Sequence, residues 1–178
     1  MASFSPGKRS SSSKFAVIAG VGISLPTVAA IATALASPDL SSVAFPAFPL
    51  KGPLLVTFLA VITYFASVMA VTAARGKYKV KAPATTGVSE DFDRAYRAQM
   101  NMLEQMAVFL PTLWLSAVLV SSVAATVAGM GWVLGRAMYA RGYLKSAAAR
   151  GPGFGISFLN QLFLLVLSGI GIARAFMA

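Results

Sequence analysis

The chain has 178 residues, 57% of them hydrophobic and only 11% charged, with a net charge of +10 from 15 basic and 5 acidic side chains. Soluble domains are about 45–50% apolar with about 25% charge, so this composition excludes a soluble fold and points to one compact integral membrane domain. The absence of Cys and His excludes a disulfide framework and a protein thiol nucleophile, and removes the commonest metal ligand and general base.

Residues 1–14 are polar, with Ser10 to Ser13 in a row and Lys8, Arg9 and Lys14 beside them, and are expected to be disordered. Residues 15–36 are uncharged and interrupted only by Pro26. They read either as a signal segment ending in Ala34-Leu35-Ala36 or as a retained helix. Their length, beyond the usual signal core of about 7–15 residues, favours retention. Residues 37–53 hold Pro38, Pro46, Pro49 and Pro53 and read as a loop. Together 1–53 form an N-terminal extension, and 54–178 a transmembrane domain.

The next apolar segment spans 54–74 and stops at Arg75, followed by Lys77, Lys79 and Lys81. Ser89 is placed as the N-cap of a helix over 90–121, with Glu90, Asp91 and Asp93 in its first turn. Pro111 is expected to bend that helix without ending it, because membrane helices tolerate proline. A further helix is expected over 125–144, a turn at Arg150-Gly151-Pro152-Gly153, and a last helix over 154–176. If each apolar segment crosses once, Lys51 and Arg174 fall on one side and the other 13 basic residues on the opposite side. The positive-inside rule makes that richer side cytosolic and accounts for a pI near 10.4 without invoking nucleic acid.

Four polar residues crowd the run 97–104 of the 90–121 helix: Arg97, Gln99, Asn101 and Glu104. A charge at membrane depth costs roughly 2.5–3.5 kcal/mol on insertion scales, so such residues are kept to pair or to bind. At about 100° per residue Arg97, Asn101 and Glu104 share an arc of roughly 60°. Arg136, Tyr139 and Tyr143 share one face of the next helix, and Arg150 follows where that helix ends. Such a set could clamp a small hydrophilic anion carrying a free amine, with arginines on carboxylates and Glu104 on the ammonium. The plainer readings are an Arg97–Glu104 pair that only locks helices, Asn101 as interhelical glue, and the two tyrosines as an interfacial belt. Gly131 and Gly135 give a weak helix-packing signal, and Gly151 and Gly153 read as turn residues.

The blocks Arg94-Ala95-Tyr96-Arg97-Ala98-Gln99-Met100-Asn101-Met102-Leu103-Glu104 and Gly135-Arg136-Ala137-Met138-Tyr139-Ala140-Arg141-Gly142-Tyr143 resemble the MAPEG superfamily, membrane-associated proteins in eicosanoid and glutathione metabolism. The resemblance covers about 54–178. Gln105 after Glu104, and the run Arg150-Gly151-Pro152-Gly153-Phe154, look most like its bacterial-type branch. The resemblance implies an all-α, left-handed four-helix transmembrane bundle that assembles as a homotrimer; the extra apolar segment at 15–36 has no counterpart in the family core. It implies glutathione as co-substrate, held between subunits by Arg75, Arg97, Gln99, Asn101, Glu104, Arg136, Tyr139 and Tyr143. Arg150 would lie against the glutathione sulfur as the catalytic residue.

The implied activity is conjugation of glutathione to lipophilic electrophiles from the bilayer, with reduction of lipid hydroperoxides as a related activity. The competing class is a non-catalytic, lipid-binding scaffold or an accessory subunit of a larger membrane complex. A scaffold has no reason to keep the whole polar set, which is complete here. A small transporter fits less well, since its polar residues would cross the bilayer instead of collecting at one end. The expected location is the endoplasmic reticulum with the site facing the cytosol. A plastid or another organelle is the alternative suggested by the Ser-rich basic start and Val43-Ala44-Phe45-Pro46.

Overall fold

The computed structural model describes residues 50–177. The expectations for 1–49, including the segment at 15–36 and its basic flank, lie outside the described residues. Four helices follow one another: α1 (Lys51–Lys77), α2 (Glu90–Leu119), α3 (Ser122–Lys145) and α4 (Gly151–Met177), with a 3-10 turn at Ala148–Arg150 leading into α4. No strand occurs among the described residues. At about 1.5 Å per residue each helix exceeds the roughly 30 Å of a bilayer core. Lys51–Lys77, Glu90–Leu119 and Ala148–Met177 are also apolar enough to cross a membrane by composition. The protein is an all-α integral membrane protein.

Each helix end has a local cause. Pro53 stands in the first turn of α1, where a missing N–H costs nothing, and Arg75 and Lys77 in its last turn suit the dipole. Ser89 occupies the N-cap of α2 with extended backbone, but its side chain makes no capping bond. The loop is instead tied by Asp93, whose carboxylate oxygens accept from the Gly87 N–H at 3.0 and 2.9 Å. Pro111 lies inside α2, which runs on to Leu119. Only Val120 and Ser121 link α2 to α3, and the Ser121 hydroxyl accepts from the Ala124 N–H at 3.2 Å. Helices joined so tightly run antiparallel.

The turn expected at Arg150-Gly151-Pro152-Gly153 is corrected. Only Arg150 belongs to the 3-10 turn, and α4 already begins at Gly151. Pro152 sits in the first helical turn, where its fixed φ is preorganised. Gly153 is a packing residue: a Cβ there would collide with the backbone nitrogen of Tyr139 on α3. Gly135 repeats the device, since its Cβ would sit 2.6 Å from the Ser157 nitrogen. Glycine on both partners thus lets α3 and α4 approach closely at the end that carries Arg150.

Phe109 of α2 stacks on Trp132 of α3 with centroids 3.7 Å apart, and Val56, Leu113 and Leu164 are fully buried around them. A smaller cluster of Val71, Val80, Phe92 and Ala95 closes the end where α1 passes into the 78–89 loop. Large apolar side chains such as Phe58, Phe65, Val127 and Leu159 face outward, as a membrane bundle requires. Between α2 and α4 runs a buried polar seam. Gln161 Nε2 donates to Thr112 Oγ1 at 2.9 Å, Ser116 Oγ to the Leu164 carbonyl at 3.0 Å, and Ser168 Oγ to the Thr112 carbonyl at 3.0 Å.

Candidate functional site

The C-terminal ends of α1 and α3 and the N-terminal ends of α2 and α4 meet at one end of the bundle. Here the predicted face of α2 exists: Arg97, Asn101 and Glu104 line one cavity of about 390 Å³, with Met100 beside them. From α3 come Tyr139 and Tyr143, one helical turn apart and stacked with centroids at 5.7 Å and planes within 10°. The far wall is Arg150 and Phe154 at the start of α4. The Arg150 guanidinium lies 4.9 Å from the Tyr143 ring centre, within cation–π range. This volume is in the range of small-molecule sites, about 300–1,000 Å³.

The side chains around the cavity are mostly uncommitted. Asn101 Nδ2 donates to Glu104 Oε2 over a long 3.4 Å. The ion pairs found among the described residues belong to Arg94, with Glu90 at 3.5 Å and with Asp91. Arg97 and Glu104 are therefore not the helix-locking pair, and both are exposed on the cavity wall. Tyr139 is 7% exposed and turned into the bundle, so it is not part of an outward aromatic belt.

Arg136 lies behind this wall. It is 2% exposed, and its Nη2 donates to Asn101 Oδ1 at 2.9 Å. Its guanidinium stands 4.3 Å from the Tyr139 ring centre and 6.0 Å from that of Trp132, while Nε has no hydrogen-bond partner. Two guanidiniums, from Arg97 and Arg150, thus line a cavity with one carboxylate, Glu104, and a third, from Arg136, lies behind the wall. The positive N-terminal end of α4 points the same way.

Two of the predicted site residues stand apart in the single chain. Gln99 is half-buried and does not line the cavity. Arg75 clasps the 78–89 loop: its Nη1 donates to the Ala84 carbonyl at 2.9 Å, and its guanidinium lies 5.0 Å from the Phe92 ring centre. Met100 and Phe154 were not among the expected lining residues. Their signal was spacing alone, Met100 three residues after Arg97 and Phe154 four after Arg150.

Comparison with known proteins covers the helical domain. The family model described as the MAPEG family matches residues 53–170. An uncharacterized protein of Synechocystis sp. is 46% identical over 114 residues, 64% of this chain and 82% of that protein, in line with the bacterial-type motif. Microsomal glutathione S-transferase 2 of Homo sapiens is 40% identical over 115 residues, 65% of this chain and 76% of its own length. Leukotriene C4 synthase of Bos taurus is 33% identical over 122 residues, 68% of this chain and 81% of its own. With that match on a four-helix membrane fold, the chain belongs to the MAPEG family.

Proposed function

We propose that the protein is a membrane-bound glutathione transferase. The observation that carries the proposal is the charge of the open cavity: the Arg97 and Arg150 guanidiniums against the Glu104 carboxylate, a net positive lining, with the buried Arg136 behind it. Glutathione as its thiolate has two carboxylates, one thiolate and one ammonium, an excess of two negative charges. Arg97, with Arg75 from a neighbouring subunit, would take carboxylates, Glu104 would take the ammonium, and Asn101, Gln99, Tyr139 and Tyr143 would add hydrogen bonds. The likeness to microsomal glutathione S-transferase 2 and leukotriene C4 synthase supports the same reading.

Arg150 is assigned to the sulfur. A free thiol with pKa about 8.5 is only a few per cent thiolate at pH 7. Lowering that pKa by about two units takes about 2.7 kcal/mol of preferential thiolate stabilisation. A guanidinium beside the N-terminal end of α4, partly screened from water, can supply energy of that order. The thiol proton leaves to solvent, and the sulfur electron pair forms the new bond to a lipophilic electrophile arriving from the bilayer, breaking its epoxide C–O bond or polarised C=C π bond, whose displaced electron pair takes up a proton from solvent. With a lipid hydroperoxide the same thiolate would attack the outer oxygen and release an alcohol, and a second glutathione would resolve the sulfenic acid. No protein nucleophile is needed, which suits a chain without Cys.

The family resemblance supports a homotrimer whose sites lie between subunits, facing the cytosol, in the endoplasmic reticulum. The test is conjugation of glutathione to an apolar electrophile by the purified protein. Saturable turnover is expected; absence of both turnover and glutathione binding would favour a lipid-binding scaffold instead.

A further inference from the structure

Arg136 presents a physical puzzle. It is a cation 2% exposed in a membrane bundle, with no carboxylate bonded to it and an unpartnered Nε. Among the described residues its one hydrogen bond goes to a neutral acceptor, Asn101 Oδ1 at 2.9 Å. Burying a charge is costly even when an ion pair offsets it, and replacing such groups by apolar residues is often neutral or stabilising. The ring of Tyr139 offers cation–π attraction. The fold alone has little reason to hold this arginine.

Asn101 supplies the reason. Its side chain lines the cavity and its Nδ2 reaches Glu104 Oε2. An amide can face either way round, and a guanidinium on one side decides between them. With Arg136 donating to Oδ1, the amide nitrogen must turn toward Glu104 and the cavity. We infer that Arg136 is a positioning residue: it acts on the ligand through Asn101, fixing the amide so that its N–H groups face the ligand and steady the Glu104 carboxylate. This inference rests on the proposed glutathione site and changes one role in it. Arg136 then makes no contact with glutathione.

A double-mutant cycle tests it on the full chain in detergent micelles, with glutathione binding read by calorimetry. Arg136→Met and Asn101→Ala are each expected to weaken binding about tenfold, the worth of one charge-assisted hydrogen bond. The double variant is expected to be no more than about threefold weaker than Asn101→Ala, because coupled residues are non-additive. A loss near the product of the two single effects would mean direct contact and would overturn the inference. Melting of Arg136→Met is expected at or above the wild-type temperature, where a merely structural arginine would lower it. Should Arg136→Met fail to fold, Arg136→Lys goes through the same cycle and the same non-additivity decides. A wild type that does not bind glutathione would bring down the proposed function and this inference with it; binding with an additive cycle would bring down the inference alone.

Discussion

Two polar clusters share helices α2 and α4, and they treat their hydrogen-bonding groups in opposite ways. In the buried seam, Thr112, Ser116, Gln161 and Ser168 bond one another and the backbone, and Gln161 Oε1 is its one unpartnered side-chain atom. The seam is neutral and about as closed as a polar group in a membrane can be. At the end of the bundle, Arg97, Glu104 and Arg150 stand exposed around a cavity without an ion pair among them. Polar groups that satisfy each other hold helices together, and polar groups left open are there for something that arrives. The pattern of satisfaction, more than polarity itself, separates the structural cluster from the one proposed to bind glutathione.

The sharpest way to break this contrast is to remove a group from each cluster. Arg150→Ala is expected to cut conjugation about 100-fold, about 2.7 kcal/mol of transition-state stabilisation, with little change in melting temperature. Steady-state kinetics beside a thermal melt would show it, and an undiminished rate would end the assignment of the thiolate role. Gly153→Ala attacks the close α3–α4 contact that brings Arg150 to the tyrosines. Overpacking against backbone is expected to cost about 2 kcal/mol and to lower both thermal stability and turnover. Glu104→Gln keeps the shape and removes the charge. Glutathione affinity should fall about tenfold, about 1.4 kcal/mol, while a glutathione analogue acetylated on its amine should bind both proteins alike. Ser168→Ala is the smallest change, about 0.6 kcal/mol of stability, as measured for single hydrogen bonds between membrane helices. It should leave glutathione affinity untouched; a marked loss would mean that seam and cavity are coupled.

The helices were legible because span length and apolar composition leave few alternatives, and the start of each of the four lies within three residues of the expected one. The first turn of α4 reads as a loop in the sequence because Gly-Pro-Gly looks like a turn unless tertiary packing uses the glycines. Gly153 is needed where α4 presses on Tyr139, and Pro152 is harmless in a first turn. On α2 the spacing of Arg97, Asn101 and Glu104 was enough, because all three share one helix. Arg136 lay on the expected face of α3, but that it sits behind Asn101 depends on how deep the face is packed, which spacing does not encode. The seam also escaped notice. Thr112 and Ser116, and Gln161 and Ser168, repeat on single faces, yet isolated hydroxyls in apolar helices look innocuous until the partner helix is in place.

The most direct measurement is glutathione titrated into the wild-type protein and into Arg150→Ala, with calorimetry for binding and ultraviolet absorbance for the thiolate. The expected result is saturable binding to both proteins, with a thiolate band at pH 7 in the wild type that Arg150→Ala loses. No binding to the wild type, or an equal thiolate band in both proteins, would contradict the account of this cavity.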